Sequence, residues 1–209
     1  MSKVGPSRAQ LQQDFFVLQE VGVKRHGFFV EVGACDGLLF SNTVLLEKDL
    51  GWNGILVEPA KVFWEGLNEN RTCSLDSRCV WKFSGKTIDF IETTEPELST
   101  VAAFLELDGA ARKEAARYPV ETVSLNDLLS QHSAPNRIDY ISLDTEGSEY
   151  VILSSFDFDK YDVKIFTVEH NYTSNRERVY EIMTSNGYQR KHHDSYSRWD
   201  DWYSKRLSV

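Results

Sequence analysis

The chain is short of cysteine, of basic charge and of long apolar runs. Three of its 209 residues are cysteine, Cys35, Cys73 and Cys79. That is too few for a closed disulfide framework, and none has the histidine spacing of a zinc site. A reducing compartment is the simpler setting, so a cytoplasmic location is expected. Lys and Arg number 23 against 32 Asp and Glu, a net charge of −9. Phosphate backbones need Lys/Arg surfaces, so no nucleic-acid partner is expected. No apolar stretch reaches membrane-spanning length, and the opening residues MSKVGPSRAQ hold no signal-peptide core. Internal repeats, low-complexity runs and linkers are also missing. Aromatics are plentiful: 5 Trp, 9 Tyr and 12 Phe, which serve cores and also stack on adenine and sugar rings. The length, with 41% hydrophobic residues, suits one α/β domain with a sizeable core, and residues 1–209 are read as that single domain.

The densest information lies in His26–Pro59. Phe28–Val32 reads as a strand, followed by a loop carrying Glu31, Gly33, Ala34, Asp36 and Gly37. Ser41 and Asn42 can cap the next helix, which runs to Leu50 with Glu47 and Lys48 on its wet face. A second strand, Ile55–Glu58, ends in a carboxylate before Pro59. Glycines without Cβ let the backbone turn sharply and approach a ligand. A helix start offers unpaired N–H groups. A carboxylate about 20 residues further on can accept hydrogen bonds from ribose hydroxyls. Dinucleotide loops read G-x-G-x-x-G, whereas this loop reads E-x-G-x-x-x-G with acids at Glu31 and Asp36. Such acids repel a pyrophosphate and favour a sulfonium and an ammonium, so the loop suits S-adenosylmethionine better than NAD.

Gln10–Val21 reads as an amphipathic helix with Leu11, Phe15 and Leu18 on its apolar side, within a lead-in of residues 1–25. Pro59 suits the start of a helix reaching Asn70. Arg78–Phe83 reads as the third strand, with Thr87–Ile91 as the second arm of a hairpin after a turn at Ser84–Lys86. Residues 92–119 read as an excursion on the substrate side, with an alanine-rich helical piece at Asp108–Arg117. Val120–Val123 is a short strand, Leu125–Leu129 a short helix and Asp139–Leu143 a buried strand. Ser148–Ser154 reads as a helix, Ile165–Val168 as a strand and Arg176–Asn186 as a helix. Tyr188–His193 and Trp202–Leu207 make a final antiparallel pair, joined by a polar loop, Asp194–Asp201. His192-His193 and Asp200-Asp201 read as solvated strand ends. This alternation implies a mostly parallel sheet with right-handed crossovers.

In open α/β sheets ligands bind beyond the carboxyl ends of the strands. Beyond the first loop and Glu58, two strand ends are polar, Asp144-Thr145-Glu146-Gly147 and Glu169-His170-Asn171. Methyl transfer to a hydroxyl needs a group to accept its proton. His170 is the natural base, with Asp144 or Glu146 orienting it or binding the nucleophile. A second reading uses Asp144, Glu169 and Asn171 as oxygen ligands for Mg²⁺ or Mn²⁺, the metal lowering the hydroxyl pKa instead. Cys35 reads as filling a small space, with only its backbone facing the ligand.

The chain resembles the FkbM-type S-adenosylmethionine-dependent methyltransferases. The resemblance rests on FVEVGACDG, on SNT before LEKDLGWNGILVEP, and on L-x-x-NR at Leu67–Arg71. It continues with VETVSLNDLL, with IDYISLDTEGSEYVIL and its D-x-E-G-x-E motif, and with VEHNY. It implies a Rossmann-like class I methyltransferase fold: a seven-stranded, mostly parallel sheet, helices on both faces and an antiparallel C-terminal strand pair. By position, Glu31, Gly33 and Asp36 would line the methionine and ribose part and Glu58 the ribose, with Ser41 and Asn42 beside that pocket. Asp144, Glu146, His170 and Asn171 would face the acceptor. One departure is Ser142, where many members carry lysine. The resemblance implies O-methylation of a sugar hydroxyl, and a deoxyhexose of a glycan, rhamnose or fucose, is the expected acceptor. The chain could then be the methyltransferase portion of a larger glycan-building polypeptide. The alternatives are O-methylation of a small natural product such as a polyketide, and a nucleoside-binding module without catalysis.

Overall fold

The computed structural model describes residues 4–107, 109–191 and 194–205. Its main sheet has seven strands: β1 (Phe28–Val32), β2 (Asn53–Val57), β3 (Ser74–Asp76), β8 (Arg137–Leu143), β9 (Asp162–Glu169), β10 (Tyr188–Arg190) and β11 (Asp200–Lys205). Their order is β10-β11-β9-β8-β1-β2-β3. The strands from β3 to β9 run parallel, and β11 is antiparallel to both its neighbours. This is the seven-stranded sheet expected, antiparallel C-terminal pair included. β1 and β8 are buried along almost their whole length, as central strands covered on both faces must be.

Side chains alternate across each strand. One face presents Phe29, Tyr140, Ile165 and Trp202 to helices α1 (Gln13–Val21), α2 (Val44–Leu50) and α3 (Trp64–Asn70). The other presents Val30, Ile141, Phe166 and Tyr203 to α4 (Leu125–Gln131), α5 (Glu149–Leu153) and α6 (Asn175–Ser185). Gly51 ends α2 in the left-handed conformation (φ 66°) and donates its N–H back to Glu47 O. Strand register has a consequence for the site. Glu31 pairs with Ser142, and Ser142 with Thr167, so the three lie in one row on the α1/α2 face. One step further along the same face come Gly33, Asp144, Glu169 and Asp200, the last opposite Glu169.

A second sheet lies in sequence between β3 and β8. It comprises β4 (Cys79–Trp81), β5 (Thr87–Thr93), β6 (Thr100–Val101) and β7 (Glu114–Ser124), in the order β4-β7-β5-β6. Four readings change here. The third strand of the main sheet is Ser74–Asp76, while Arg78–Phe83 supplies only β4 of the second sheet. Thr87–Thr93 pairs with β7 and β6 rather than with β4. Among the described residues the alanine-rich piece is not helical: residues 109–113 form no regular element, and β7 runs from Glu114 through Ser124 alongside β5. Cross-strand pairing there overrides alanine's helix propensity. Short helix α7 (Asp194–Ser197) occupies part of the stretch read as a polar loop joining the last two strands.

Three burial readings change as well. Phe15 is exposed, and Phe16 and Val17 fill the core in its place. Glu47 is buried instead of wet, because Arg71 meets it. Asp200 and Asp201 are buried, not solvated. Gln13 donates to Asp200, while Arg176, Arg190 and the Tyr203 hydroxyl donate to Asp201. His192, His193 and Leu207 lie outside the described residues.

Candidate active site

A cavity of about 250 Å³ opens at the carboxyl ends of β1, β2, β8 and β9, with the second sheet and the chain between β5 and β7 forming its far wall. The loop after β1 is wedged into place. Gly33 N–H donates to Val57 O at 2.9 Å, and Asp144 N–H donates to Val32 O at 3.0 Å. Gly33 has φ +89°, and a Cβ there would sit 1.8 Å from the Asp144 carbonyl oxygen. Only glycine fits. Next in the loop, Cys35 N–H donates to Glu58 Oε2 (2.9 Å), and Ala60 N–H donates to Glu58 Oε1 (2.7 Å). Burial pushes the Glu58 carboxyl up to about 7. Gly33, Cys35, Glu58 and Pro59 all line the cavity, Cys35 among them with φ 48°.

Beneath the loop is a buried polar core. Glu31 accepts from Ser41 Oγ (3.1 Å), Thr43 Oγ1 (2.5 Å) and Asn42 N–H (2.6 Å). Arg71, its side chain fully buried, donates to Glu47 Oε2 (2.6 Å), Gly37 O (3.1 Å), Ser41 Oγ (3.1 Å) and Thr43 Oγ1 (2.9 Å). Burial raises the Glu31 pKa, opposed by the Arg71 charge. Glu47 behaves differently. Burial raises it, but the Arg71 charge and bonds from Thr72 outweigh that and bring it down to about 2. Asp36 accepts from the Leu38 and Leu39 amides within its own turn. Glu31, Asp36, Ala34, Gly37 and Ser41 therefore build the loop from behind, whereas Asn42 stands in the cavity wall.

Besides Glu58 and Glu97, the acids that line the cavity sit at the ends of β8 and β9. Oxygens of Asp144, Glu146 and Glu169 lie within 4.8 Å of one another. Burial, and then the neighbouring carboxylates, push Asp144 and Glu169 well above the usual carboxylate range. The D-x-E-G-x-E motif divides its work. Asp144 faces the cavity. Glu146, at φ 58°, accepts from Arg112 and from Asn171 Nδ2 (3.2 Å) on its carboxylate and from Thr100 Oγ1 (2.9 Å) on its carbonyl. Glu149 folds the loop by accepting from the Thr145 N–H and hydroxyl (2.8 and 2.7 Å).

Asn171 lines the same cavity, but His170 does not; it borders a small adjoining recess. His170 Nδ1 accepts from Tyr172 N–H at 2.9 Å, and its Nε2 lies 3.7 Å from Asp201 Oδ1. Sequence reasoning missed Arg71, Glu47, Thr100 and Arg112 as parts of the site. Arg71 stood within the L-x-x-NR motif, a signal that a partner acid was needed. Arg112 lay in a stretch whose alanines masked it.

A sequence profile described as the methyltransferase FkbM domain matches residues 31–190. No curated protein sequence matches the chain. Among solved structures, the methyltransferase domain of METTL16 aligns with TM-score 0.51 and 11% identity, over 95% of this chain and 68% of that one. The N-terminal domain of human METTL16 aligns with TM-score 0.50 and 10% identity, over 96% and 70%. Precorrin-6y C5,15-methyltransferase of Geobacter metallireducens aligns with TM-score 0.47 and 10% identity, over 96% and 90%. At such identities the likeness speaks to the fold, that of class I S-adenosylmethionine methyltransferases.

Proposed function

Because the chain belongs to the FkbM methyltransferase family and is an S-adenosylmethionine-dependent methyltransferase, we propose that it O-methylates a neutral sugar, a deoxyhexose such as rhamnose or fucose on a glycan. The observation that carries this reading is the acidic lining of the cavity. Glu58, Glu97, Asp144, Glu146 and Glu169 line it, and among the described residues of its wall the basic side chain is Arg112, engaged by Glu146 and Leu98 O. Such a wall suits a cationic donor and a neutral acceptor, and it repels phosphate. Leu39, Phe40 and Trp199 offer apolar faces to a sugar ring at the rim.

The donor fits the residues present. Gly33 lets the loop close on the Asp144 carbonyl where any Cβ would collide, which holds the cavity's edge in place, and Glu58 stands at the end of β2 where a carboxylate can take ribose hydroxyls. When bound, S-adenosylmethionine supplies an electrophilic methyl group and leaves as a neutral thioether. The chain's own work is to hold the acceptor in line and take its proton. Asp144 takes the hydroxyl proton as the O–H bond gives way to O–CH₃, with Asn171 and Glu146 positioning the acceptor. His170 holds the Asn171–Tyr172 turn.

A divalent ion is the second reading, favoured by the proximity of Asp144, Glu146 and Glu169. The Asn171 amide nitrogen donates to Glu146, which leaves its carbonyl oxygen as the atom that could join that ligand set. Mg²⁺ or Mn²⁺ restoring activity after EDTA would support the ion. The acceptor is tested with saturating donor against rhamnosides, fucosides and macrolide polyketides, with methyl gain read by mass spectrometry. Turnover on the polyketides alone overturns the sugar. Tight donor binding with no turnover on any acceptor leaves a nucleoside-binding module.

A further inference from the structure

We propose that Trp199 is a specificity-determining residue for the acceptor and that Gln10, acting through it, is a positioning residue. The inference rests on the methyl-transfer reading of the cavity and says which of its walls meets the acceptor. Both residues line that cavity although 189 residues separate them, and the Trp199 indole N–H donates to Gln10 Oε1 at 3.3 Å. The Arg198 guanidinium lies over the same ring, 5.5 Å from its centroid. The indole is half-buried, held at its edge and on one face, and still lines the cavity. Such a ring is a preset apolar surface with little rotamer freedom left to lose when a ligand arrives.

Its place in the sheet separates it from the ribose end of the cavity. Trp199 precedes Asp200, the first residue of β11, whereas Glu58 follows β2. Those strands are four spacings apart, roughly 19 Å. Trp199 stands instead beside a residue assigned to the acceptor. Its carbonyl oxygen accepts from His170 N–H at 2.8 Å and from Asn171 N–H at 3.2 Å, so one residue carries both the ring and the turn that presents Asn171. The backbone is left-handed at Gln12 (φ 63°), Arg198 (53°), Asn171 (44°) and Tyr172 (55°). Such conformations cost energy in residues other than glycine and gather where side chains must be aimed. Gln13 fixes the two segments against each other. Its Oε1 accepts from Leu11 N–H at 2.9 Å, and its Nε2 donates to Asp200 Oδ2 at 2.8 Å. An acceptor lying on the indole is thus held in register with Asn171.

The experiment is steady-state kinetics of the full chain at saturating S-adenosylmethionine, with a methyl rhamnoside, a methyl fucoside and a macrolide lactone as acceptors. Calorimetry with S-adenosylhomocysteine runs beside it. Trp199→Ala keeps the carbonyl and removes the ring. For whichever acceptor is methylated, its KM should rise about tenfold or more while kcat stays within about threefold. S-adenosylhomocysteine affinity should be unchanged, which also certifies the fold. Trp199→Phe should fall between the two. Gln10→Leu should raise KM in the wild-type chain and do nothing further in Trp199→Phe, where no N–H remains to be held. Gln10→Glu keeps an accepting oxygen and should restore the wild-type KM. An unchanged acceptor KM in Trp199→Ala overturns the proposal, as does a loss of donor affinity, or a Gln10→Leu effect that adds to that of Trp199→Phe. Methylation of the lactone alone, with KM still governed by Trp199, overturns the sugar and supports this wall. Methylation of none of the three overturns the acceptor reading, and the wall with it.

Discussion

Replacing Arg71 with methionine should unfold the chain far more readily than the loss of a surface arginine would. The guanidinium is fully buried and donates to Glu47, Gly37 O, Ser41 and Thr43. Methionine keeps most of the volume and none of the charge, leaving buried Glu47 with only the exposed Lys48 ammonium, 3.6 Å away, in place of its buried cation. Removing one partner of a buried pair costs about 3–5 kcal/mol. For a chain of this size that is roughly 6–20 °C in Tm, at about 2–4 °C per kcal/mol. Urea denaturation would measure it. The pH dependence gives an internal check. Glu47 is lowered from 4.5 to about 2 in the folded protein, so its contribution is fully present above pH 4.5 and lost as pH falls through about 2. The gap between wild type and Arg71→Met should therefore narrow across that window. Adding Glu47→Gln should recover part of the loss, because the stranded charge disappears. An Arg71→Met protein within 1 kcal/mol of wild type, or a gap indifferent to acid, would refute the reasoning.

Gly33→Ala should abolish donor binding and destabilise the chain by about 1–3 kcal/mol, since its Cβ meets the Asp144 carbonyl oxygen; binding heat and thermal melts would check both. Glu58→Ala should weaken S-adenosylhomocysteine by about 1–3 kcal/mol through lost ribose hydrogen bonds. Because burial raises Glu58 from 4.5 to about 7, the unliganded chain should lose stability as pH rises across that range, while donor affinity rises as the carboxylate forms. Both trends should flatten in Glu58→Gln, and persistence of either would reject the assignment. Asp144→Asn should remove turnover with donor affinity nearly kept. His170→Ala should slow turnover by loosening the Tyr172 turn, and His170→Asn, which can still accept from that amide, should restore it; failure to rescue would return His170 to the role of base.

The main sheet, apart from the short β3, was legible because β1, β8 and β9 are rich in apolar residues and end in polar clusters, a pattern that survives without any tertiary knowledge. The second sheet was not, because β4 and β6 are three and two residues long and β7 carries alanines whose local preference opposes their pairing. At the site, Glu58, Asn42, Asp144 and Gly33 line the cavity. Glu31 does not, for a reason the sequence itself contains. Strand alternation places Glu31 one row below Gly33, so its carboxylate points at the floor of the loop. Asp36 sits in a turn whose own amides claim its oxygen. Proximity in sequence to a ligand loop says little about which way a side chain faces.

The grip of Thr100 and Arg112 on Glu146 ties the inserted sheet to the loop that ends β8. In the proposed reading a graft in the chain between β5 and β7 would suit a new acceptor, and that chain meets the donor's half of the fold through this clasp and through Phe104 and Leu107 packed at Gly147. Any such graft must bring its own hydroxyl and guanidinium to that spot. A transplant lacking them would alter selectivity and stall chemistry at the same stroke, so in this architecture diversification of what is methylated is coupled to retention of how.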